Sequence, residues 1–504
     1  MTLLLAGRAA GASTSPQYGG TVQHQTVPER FRPLLDATAE LSERFAAEGR
    51  ALYLVGGSVR DALVVAPGGA AKSRCELTGP GDPVARTAGD LDLTTDAPPD
   101  EIERLVRGWA EQIWTQGKRF GTIGCRRGGR TYEITTHRAE RYVHDSRKPE
   151  VEFGDDIVAD LSRRDFTINA MALELPGLRL VDPFDGIGDL AQRRLRTPLD
   201  PEISFSDDPL RMLRAARFAA AYDLEPDPAL VEAVRNDRER LSIVSPERIR
   251  DELDKIVMLP VPSRALWFVV DTGLAEGFVP ELAALRLEQD PIHRHKDVLA
   301  HTIAVVDKTS SDRLLRLAAL FHDVGKPRTR RIEAGGVTFH HHEVVGARMT
   351  RQRMEALRYP TDDIETVVAL VGLHLRFHTY GLGWTDKAVR RYVRDAGPLL
   401  DRLNELTRCD CTTRNEAKAR ALARRMDELE RRIAELRQRE ELDALRPDLN
   451  GTQVMERLGL RPGRAVGDAL AYLLDLRLDE GPLGEEEAGR RLDEWWAARE
   501  TAGD

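Results

Sequence analysis

The chemistry this chain could perform starts at Asp90-Leu91-Asp92-Leu93-Thr94. On an extended segment, side chains two apart face the same way, so Asp90 and Asp92 share one face while Leu91 and Leu93 enter a core. Two carboxylates so placed repel each other unless a divalent cation lies between them, which makes the pair a candidate metal site. Upstream, Leu52-Tyr53-Leu54-Val55 reads as a buried strand that breaks at Gly56-Gly57 into a helix start, Ser58-Val59-Arg60-Asp61-Ala62-Leu63. Strand, glycine turn and helix suit a phosphate. Glycine lets backbone approach an anion, Ser58 can cap, the amides of the helix start favour negative charge, and Arg60 adds a fork. Either half alone reads equally as an ordinary turn or an exposed strand face, because motifs this short recur by accident.

Positioning these groups needs more than one core: 504 residues imply two to four domains. A composition of 41% hydrophobic and 31% charged residues is that of a globular rather than a disordered chain, and the net charge of −9 means that an RNA partner would need a local basic surface. No apolar run is long enough to span a bilayer. Cys75, Cys125, Cys409 and Cys411 show neither zinc spacing nor a disulfide framework, which fits a reducing cytoplasm. Residues 1–28 read as a flexible tail, 30–48 as an amphipathic helix, and 65–89 as a surface loop inserted between the glycine turn and Asp90.

Thr122–Cys125 and Tyr132–Thr136 read as a hairpin on which Glu133 is either a third metal carboxylate or an exposed strand residue. His137–Pro149 alternates charges without an apolar period and reads as a mobile loop. Arg163–Ala172 reads as a helix whose first turn meets a ligand, with Arg164 for phosphate and Asp165 and Asn169 for ribose hydroxyls; a structural salt bridge explains Arg164 and Asp165 as well. Asp182–Gly186 reads as a structural turn. Ser206–Phe218 starts a helix with Asp208 and Arg211 three apart and adjacent. They are either a solvated ion pair or a base reader. An acceptor beside a donor complements the pairing edges of cytosine and adenine, whereas uracil and guanine reverse the order and leave buried groups unpaired, at about 1–3 kcal/mol per group.

The ordered set Gly56-Gly57-Ser58-Val59-Arg60-Asp61, Asp90-Leu91-Asp92, Arg163–Ala170, Asp182–Gly186, Asp207–Arg211 and Ser245-Pro246-Glu247-Arg248-Ile249 resembles the class II CCA-adding enzymes, tRNA nucleotidyltransferases of the poly(A) polymerase superfamily. The resemblance implies that Asp90 and Asp92 are catalytic and hold Mg2+. It implies that Gly56, Gly57, Arg60, Asp61 and Arg164 surround the triphosphate, that Asp165 and Asn169 read the ribose, and that Asp208 and Arg211, with Arg214, bind the incoming base. Glu247-Arg248 would brace a helical neck. The substrates would be tRNA, CTP and ATP. Two departures stand out: the 66–89 insertion, and Asp207 where that family commonly has Glu. The charged loop at 138–148 favours full CCA addition, because members adding only CC tend to lack such a loop.

Nine of twelve histidines fall between His293 and His378. Imidazole and carboxylate suit a transition metal. The ordered series resembles the HD phosphohydrolase superfamily, in which His301, His322, Asp323 and Asp410 match metal ligands and His342 and His374 match additional histidines. That resemblance implies an all-helical domain, room for a divalent transition metal, and hydrolysis of cyclic 2′,3′-phosphate or phosphomonoester at RNA ends. His293, His295 and His378 stay unassigned. The expected fold is α+β: a tail at 1–28, a head with a mixed sheet at 29–200, then a helical neck at 201–262, an HD body at 263–415 and a helical tail at 416–504, where Arg461 and Arg464 are either phosphate ligands or surface residues. The expected function is CCA addition to tRNA. The rivals are poly(A) polymerase, a uridylyltransferase or alarmone synthetase, which Asp208 and Arg211 disfavour, and a catalytically silent RNA-binding protein.

Overall fold

The computed structural model describes residues 29–64, 90–141, 150–153, 156–287, 297–333, 336–379, 384–412, 415–440 and 445–502. The expected tail at 1–28, the insertion at 66–89, Cys75, His293 and His295 lie outside them. The described part forms two compact units, one of residues up to Arg211 with Tyr222–Asp237, the other of Met212–Ala221 with Arg238 onward.

The first unit is built on a seven-stranded sheet. Its strands are β1 (Leu52–Val55), β2 (Asp90–Thr95), β3 (Gln112–Trp114), β4 (Thr122–Arg127), β5 (Arg130–Thr136), β8 (Ala172–Leu175) and β9 (Leu180–Val181), in the order β3-β4-β5-β2-β1-β8-β9. Only the β2–β5 pairing is parallel, so the sheet is mixed. Alternation decides its faces. Leu91, Leu93, Ile123, Cys125, Tyr132 and Ile134 enter one core with Leu41 and Phe45 of the helix Arg32–Ala47 and Ile102 and Leu105 of the helix Pro99–Val106, while Asp90, Asp92 and Glu133 stay exposed.

Two sequence readings change here. Arg163–Ala172 is not one helix: the helix Ile157–Ser162 ends before it, a 3-10 turn covers Thr167–Asn169, and β8 begins at Ala172, paired with Val55. The apolar residues Ile168, Met171 and Ala172 satisfy a buried turn and strand as well as a helix face, and pairing with β1 selects the strand. The 137–149 stretch is not wholly a loop, because β6 (Arg138–Arg141) pairs antiparallel with β7 (Glu150–Phe153); residues 142–149 lie outside the described part.

The second unit is mostly helical. Contrary to the all-helical expectation, its HD body carries a hairpin, Arg330–Glu333 against Gly336–Phe339. Arg316, 3% exposed, holds the surrounding turns by donating to the carbonyls of Val257, Leu259, Thr309 and Ser310. Ser245 caps the helix Pro246–Val257, and Glu247 pairs with Arg358 at 2.6 Å. The helix Glu416–Arg439 buries apolar side chains only from Met426 onward, through Leu429, Ile433 and Leu436. Arg461 and Arg464 are exposed before and at the start of the helix Arg464–Glu480. Among the described residues no helix is long and apolar enough to cross a membrane.

Candidate active site and metal centre

The glycine turn holds the first site together. Gly56 has φ +67° and ψ −131°, a conformation essentially restricted to glycine, and a Cβ built there would lie 3.0 Å from an Arg164 guanidinium nitrogen and 3.8 Å from an Asp92 carboxylate oxygen. The turn, Arg164 and Asp92 therefore converge on one point, although they come from three separate segments. Ser58 does not cap the helix Gly57–Leu63; the turn itself makes that junction. Gly56→Ala is expected to cost about 1–3 kcal/mol of stability and to lower turnover by displacing the Arg164 guanidinium, read by denaturant unfolding and single-nucleotide incorporation.

The carboxylates share a face as their spacing requires. Asp92 stands opposite Glu133 and Asp90 opposite Thr131 across the β2–β5 pairing. Burial raises the pKa of Glu133, and the Asp92 and Asp90 charges raise it further, as expected of three acids converging on one patch. The set supplies only carboxylate oxygens, a donor chemistry that fits a hard cation.

A hydrogen-bonded chain joins Arg60, Asp61, Asn169 and Asp165. Arg60, 4% exposed, donates to Asp61 at 2.8 Å and to Asn169 at 2.5 Å; Asn169 donates to Asp165 at 2.9 Å, and Asp165 also accepts from the Phe166 amide. Arg60 thus acts as a strut holding Asp61 and Asn169 in place. Two buried polar atoms in the same region have no partner among the described residues, Arg164 Nε and Asp61 Oδ2. An orphan donor of this kind suits an anionic ligand. Arg164 otherwise reaches Asp160 at 3.4 Å.

Tyr222 was not legible as a site residue. It follows the helix Leu210–Ala221, lies under the Arg60 guanidinium at 4.3 Å, and donates to Asp61 at 3.0 Å across 161 residues of sequence. Nothing local marks it, because its partner is set only by the fold. Tyr222→Phe is expected to raise KM for the nucleotide about tenfold with little change in kcat, since it removes one hydrogen bond to a charged group.

Asp208 and Arg211 sit at the start of that helix. Asp208 caps it through the Leu210 amide at 3.2 Å, and Arg211 donates to the Ser204 hydroxyl at 2.9 Å and to the Arg163 carbonyl, next to Arg164 and Asp165. Asp208 and Arg211 thus adjoin the segment carrying Arg164, Asp165 and Asn169. A guanidinium has five N–H groups, so these anchors leave donors over for a base edge. Arg214 lies in the second unit, where its guanidinium is 5.4 Å over Phe218. Asp182 is structural as expected, capping the helix Gly186–Gln192 through two amides.

In the second unit, all six expected metal ligands meet. His301 comes from the helix Val298–Lys308, His322 and Asp323 from the end of Arg313–Phe321, His342 from the start of His342–Ala356, His374 from the end of Thr361–Leu373, and Asp410 from the end of Leu400–Asp410. They form two trios, His301·His322·Asp410 and Asp323·His342·His374, each with its ligand atoms within 4.8 Å of one another. Asp323 joins them: its Oδ2 lies 3.2 Å from His322 Nε2 and its Oδ1 lies 3.4 Å from His342 Nε2.

The outer ring nitrogens are fixed. Nδ1 of His322, His342 and His374 donates to the carbonyl three residues back, Ala319, Phe339 and Val371, at 2.7–2.8 Å, while His301 Nδ1 meets the Thr412 hydroxyl at 2.6 Å. A carbonyl only accepts, so in the neutral ring of the first three the Nε2 lone pair faces inward, as a metal ligand requires. With no cation between them, Asp323 and Asp410 outweigh burial and raise the pKa of His322 to about 10, so a metal would have to displace its inward proton, whereas burial and His322 push His374 down to about 3. His378 remains outside both trios; burial lowers its pKa.

Three family models match successive stretches of the chain. Residues 52–196 match the family described as "Poly A polymerase head domain", 223–285 match "Probable RNA and SrmB- binding site of polymerase A", and 297–435 match "HD domain". An A-adding tRNA nucleotidyltransferase of Deinococcus radiodurans is 37% identical over 359 residues, 68% of this chain and 80% of that protein. CCA-adding enzymes of Lactobacillus johnsonii and Bacillus subtilis are 36% and 38% identical over 251 and 229 residues, so the chain spans about half the length of these two relatives. The crystal structure of a Bacillus stearothermophilus CCA-adding enzyme in complex with CTP superposes over 94% of this chain and 100% of that one, with a TM-score of 0.65 at 23% identity, a likeness of fold.

Proposed function

Because the chain belongs to the tRNA nucleotidyltransferase family, we propose that it adds CCA to the 3′ end of tRNA from CTP and ATP, with an HD centre acting on phosphate esters at RNA ends. The observation that carries the first part is the convergence of Gly56, Arg164 and Asp92 beside Asp208 and Arg211.

In this reading Asp90 and Asp92 hold Mg2+, which when bound would activate the attacking hydroxyl and offset the charge of the triphosphate. The residues of the chain do the rest. The glycine turn and Arg164 orient the triphosphate so that the tRNA 3′ hydroxyl meets the α-phosphate in line and pyrophosphate leaves. Asp165 and Asn169, held by Arg60, fix the ribose. Asp208 accepts from the exocyclic amine of cytosine or adenine while Arg211 donates to the ring nitrogen, so uracil and guanine leave both groups unpaired. A cytoplasmic location fits this role.

A second reading, addition of adenosine alone, is favoured by the Deinococcus radiodurans relative, whose name states that activity and whose sequence match is longer than those to the two CCA-adding relatives. Extension of tRNA ending at the discriminator base separates the two: we expect products longer by C, CC and CCA, whereas an enzyme adding only A extends tRNA that already ends in CC. Poly(A) polymerase activity would instead give a run of adenosines.

For the HD centre, the paired trios fit two divalent transition metals sharing Asp323. When bound, they would activate water and clamp a phosphate oxygen.

A further inference from the structure

Two rows of cross-strand neighbours run away from the carboxylate pair over the open face of the sheet. One is Asp92, Glu133, Gly124 and Trp114, the other Asp90, Thr131, Arg126 and Gln112. Residues directly opposite each other on neighbouring strands point to the same side. Trp114 and Arg126 therefore stand on the face that carries Asp90 and Asp92.

Trp114 lies across the glycine. A Cβ on Gly124 would fall 1.8 Å from the indole nitrogen and 2.2 Å from the adjoining ring carbon, so only glycine fits beneath this ring. The indole is part-exposed at the sheet edge and lies over Gly124; two strand spacings of about 4.8 Å then separate Gly124 from Asp92. Arg126, in the neighbouring row, is exposed and makes no ion pair among the described residues. A flat aromatic ring beside an unpaired guanidinium is the arrangement that binds single-stranded nucleic acid, by base stacking and phosphate contact.

We propose that Trp114 is a stacking platform for a base of the tRNA acceptor strand just upstream of the attacking 3′ hydroxyl, with Arg126 on its phosphate. This rests on the nucleotidyltransferase reading of Asp90 and Asp92. The rows run continuously from those acids to the ring, so a strand whose 3′ end reaches Asp92 passes over Gly124. The incoming nucleotide occupies the other side of the acids, where the glycine turn and Arg164 lie. The platform does not select a base, since every base has a π-face.

The test uses the full chain and tRNA ending in CC, varying tRNA at saturating ATP and then ATP at saturating tRNA. Trp114→Ala should raise KM for tRNA about tenfold or more while KM for ATP stays put, and Trp114→Phe should restore most of the loss. Placing an abasic nucleotide next to the tRNA 3′ end should cost the wild type as much as Trp114→Ala does, with no further loss when the two are combined. Arg126→Ala should lower the salt dependence of tRNA binding by about one phosphate contact. An unchanged KM for tRNA in a folded Trp114→Ala protein, a rise confined to KM for ATP, or additive losses with the abasic tRNA would each overturn the proposal. Failure of the wild type to extend tRNA at all would instead remove the reading on which it rests.

Discussion

Asp92→Ala is expected to lower incorporation of both cytidine and adenosine at least about 10³-fold while tRNA stays bound. In the proposed reading the carboxylate contributes twice: as a cation ligand on the exposed face of β2, and as one of the groups converging on Gly56 with Arg164. Losing a ligand of the catalytic cation removes several kcal/mol of charge stabilisation from the transition state, and each 1.36 kcal/mol is a factor of ten in rate. Binding of tRNA, which depends on cationic and aromatic groups, has no reason to weaken when a negative charge is removed. Single-turnover incorporation with a parallel filter-binding measurement checks both halves. A silent RNA-binding protein would show no difference between Asp92→Ala and the wild type.

The second large effect belongs to the HD centre. Asp323 supplies one oxygen to each trio, so Asp323→Ala should deplete both, whereas His374→Ala should deplete only the trio it belongs to. Metal analysis after dialysis against a stated transition metal should give two equivalents for the wild type, one for His374→Ala and none for Asp323→Ala. Hydrolysis of a 2′,3′-cyclic phosphate should fall more than about 100-fold in Asp323→Ala, because loss of an outer partner of a metal ligand already costs 10–100-fold. Nucleotidyl transfer should persist, because Asp90 and Asp92 lie in the other compact unit. Equal metal content in all three proteins would rule out the shared-ligand arrangement.

Much of both sites was legible because their determinants are local. Gly56 must follow β1 and precede a helix, and a run of only six residues carries both signals. Alternation in Asp90–Thr95 fixed which way each carboxylate faces. The histidines were found as an ordered series, and the six matched to the HD pattern are those that meet. What escaped the sequence depends on pairing between distant segments. Trp114 reaches the carboxylates only through three successive strand pairings, and Tyr222 reaches Asp61 across 161 residues. Arg163–Ala172 was read as a helix because a buried 3-10 turn leading into a strand presents the same mixture of apolar residues; pairing with β1 decides between them. The hairpin Arg330–Phe339 was missed because the resemblance implies an all-helical body and Arg330-Arg331-Ile332-Glu333 has no alternating apolar pattern. Glu133 was left open between two roles. It stands opposite Asp92 on the same face, and nothing further decides between them.

The most direct measurement is incorporation of each labelled nucleotide, one at a time, into tRNA lacking its terminus. The account requires that CTP alone adds two residues and stops, that ATP then adds one, and that UTP and GTP add none. Incorporation of UTP or GTP at rates comparable to CTP, or no incorporation from any nucleotide, would contradict it.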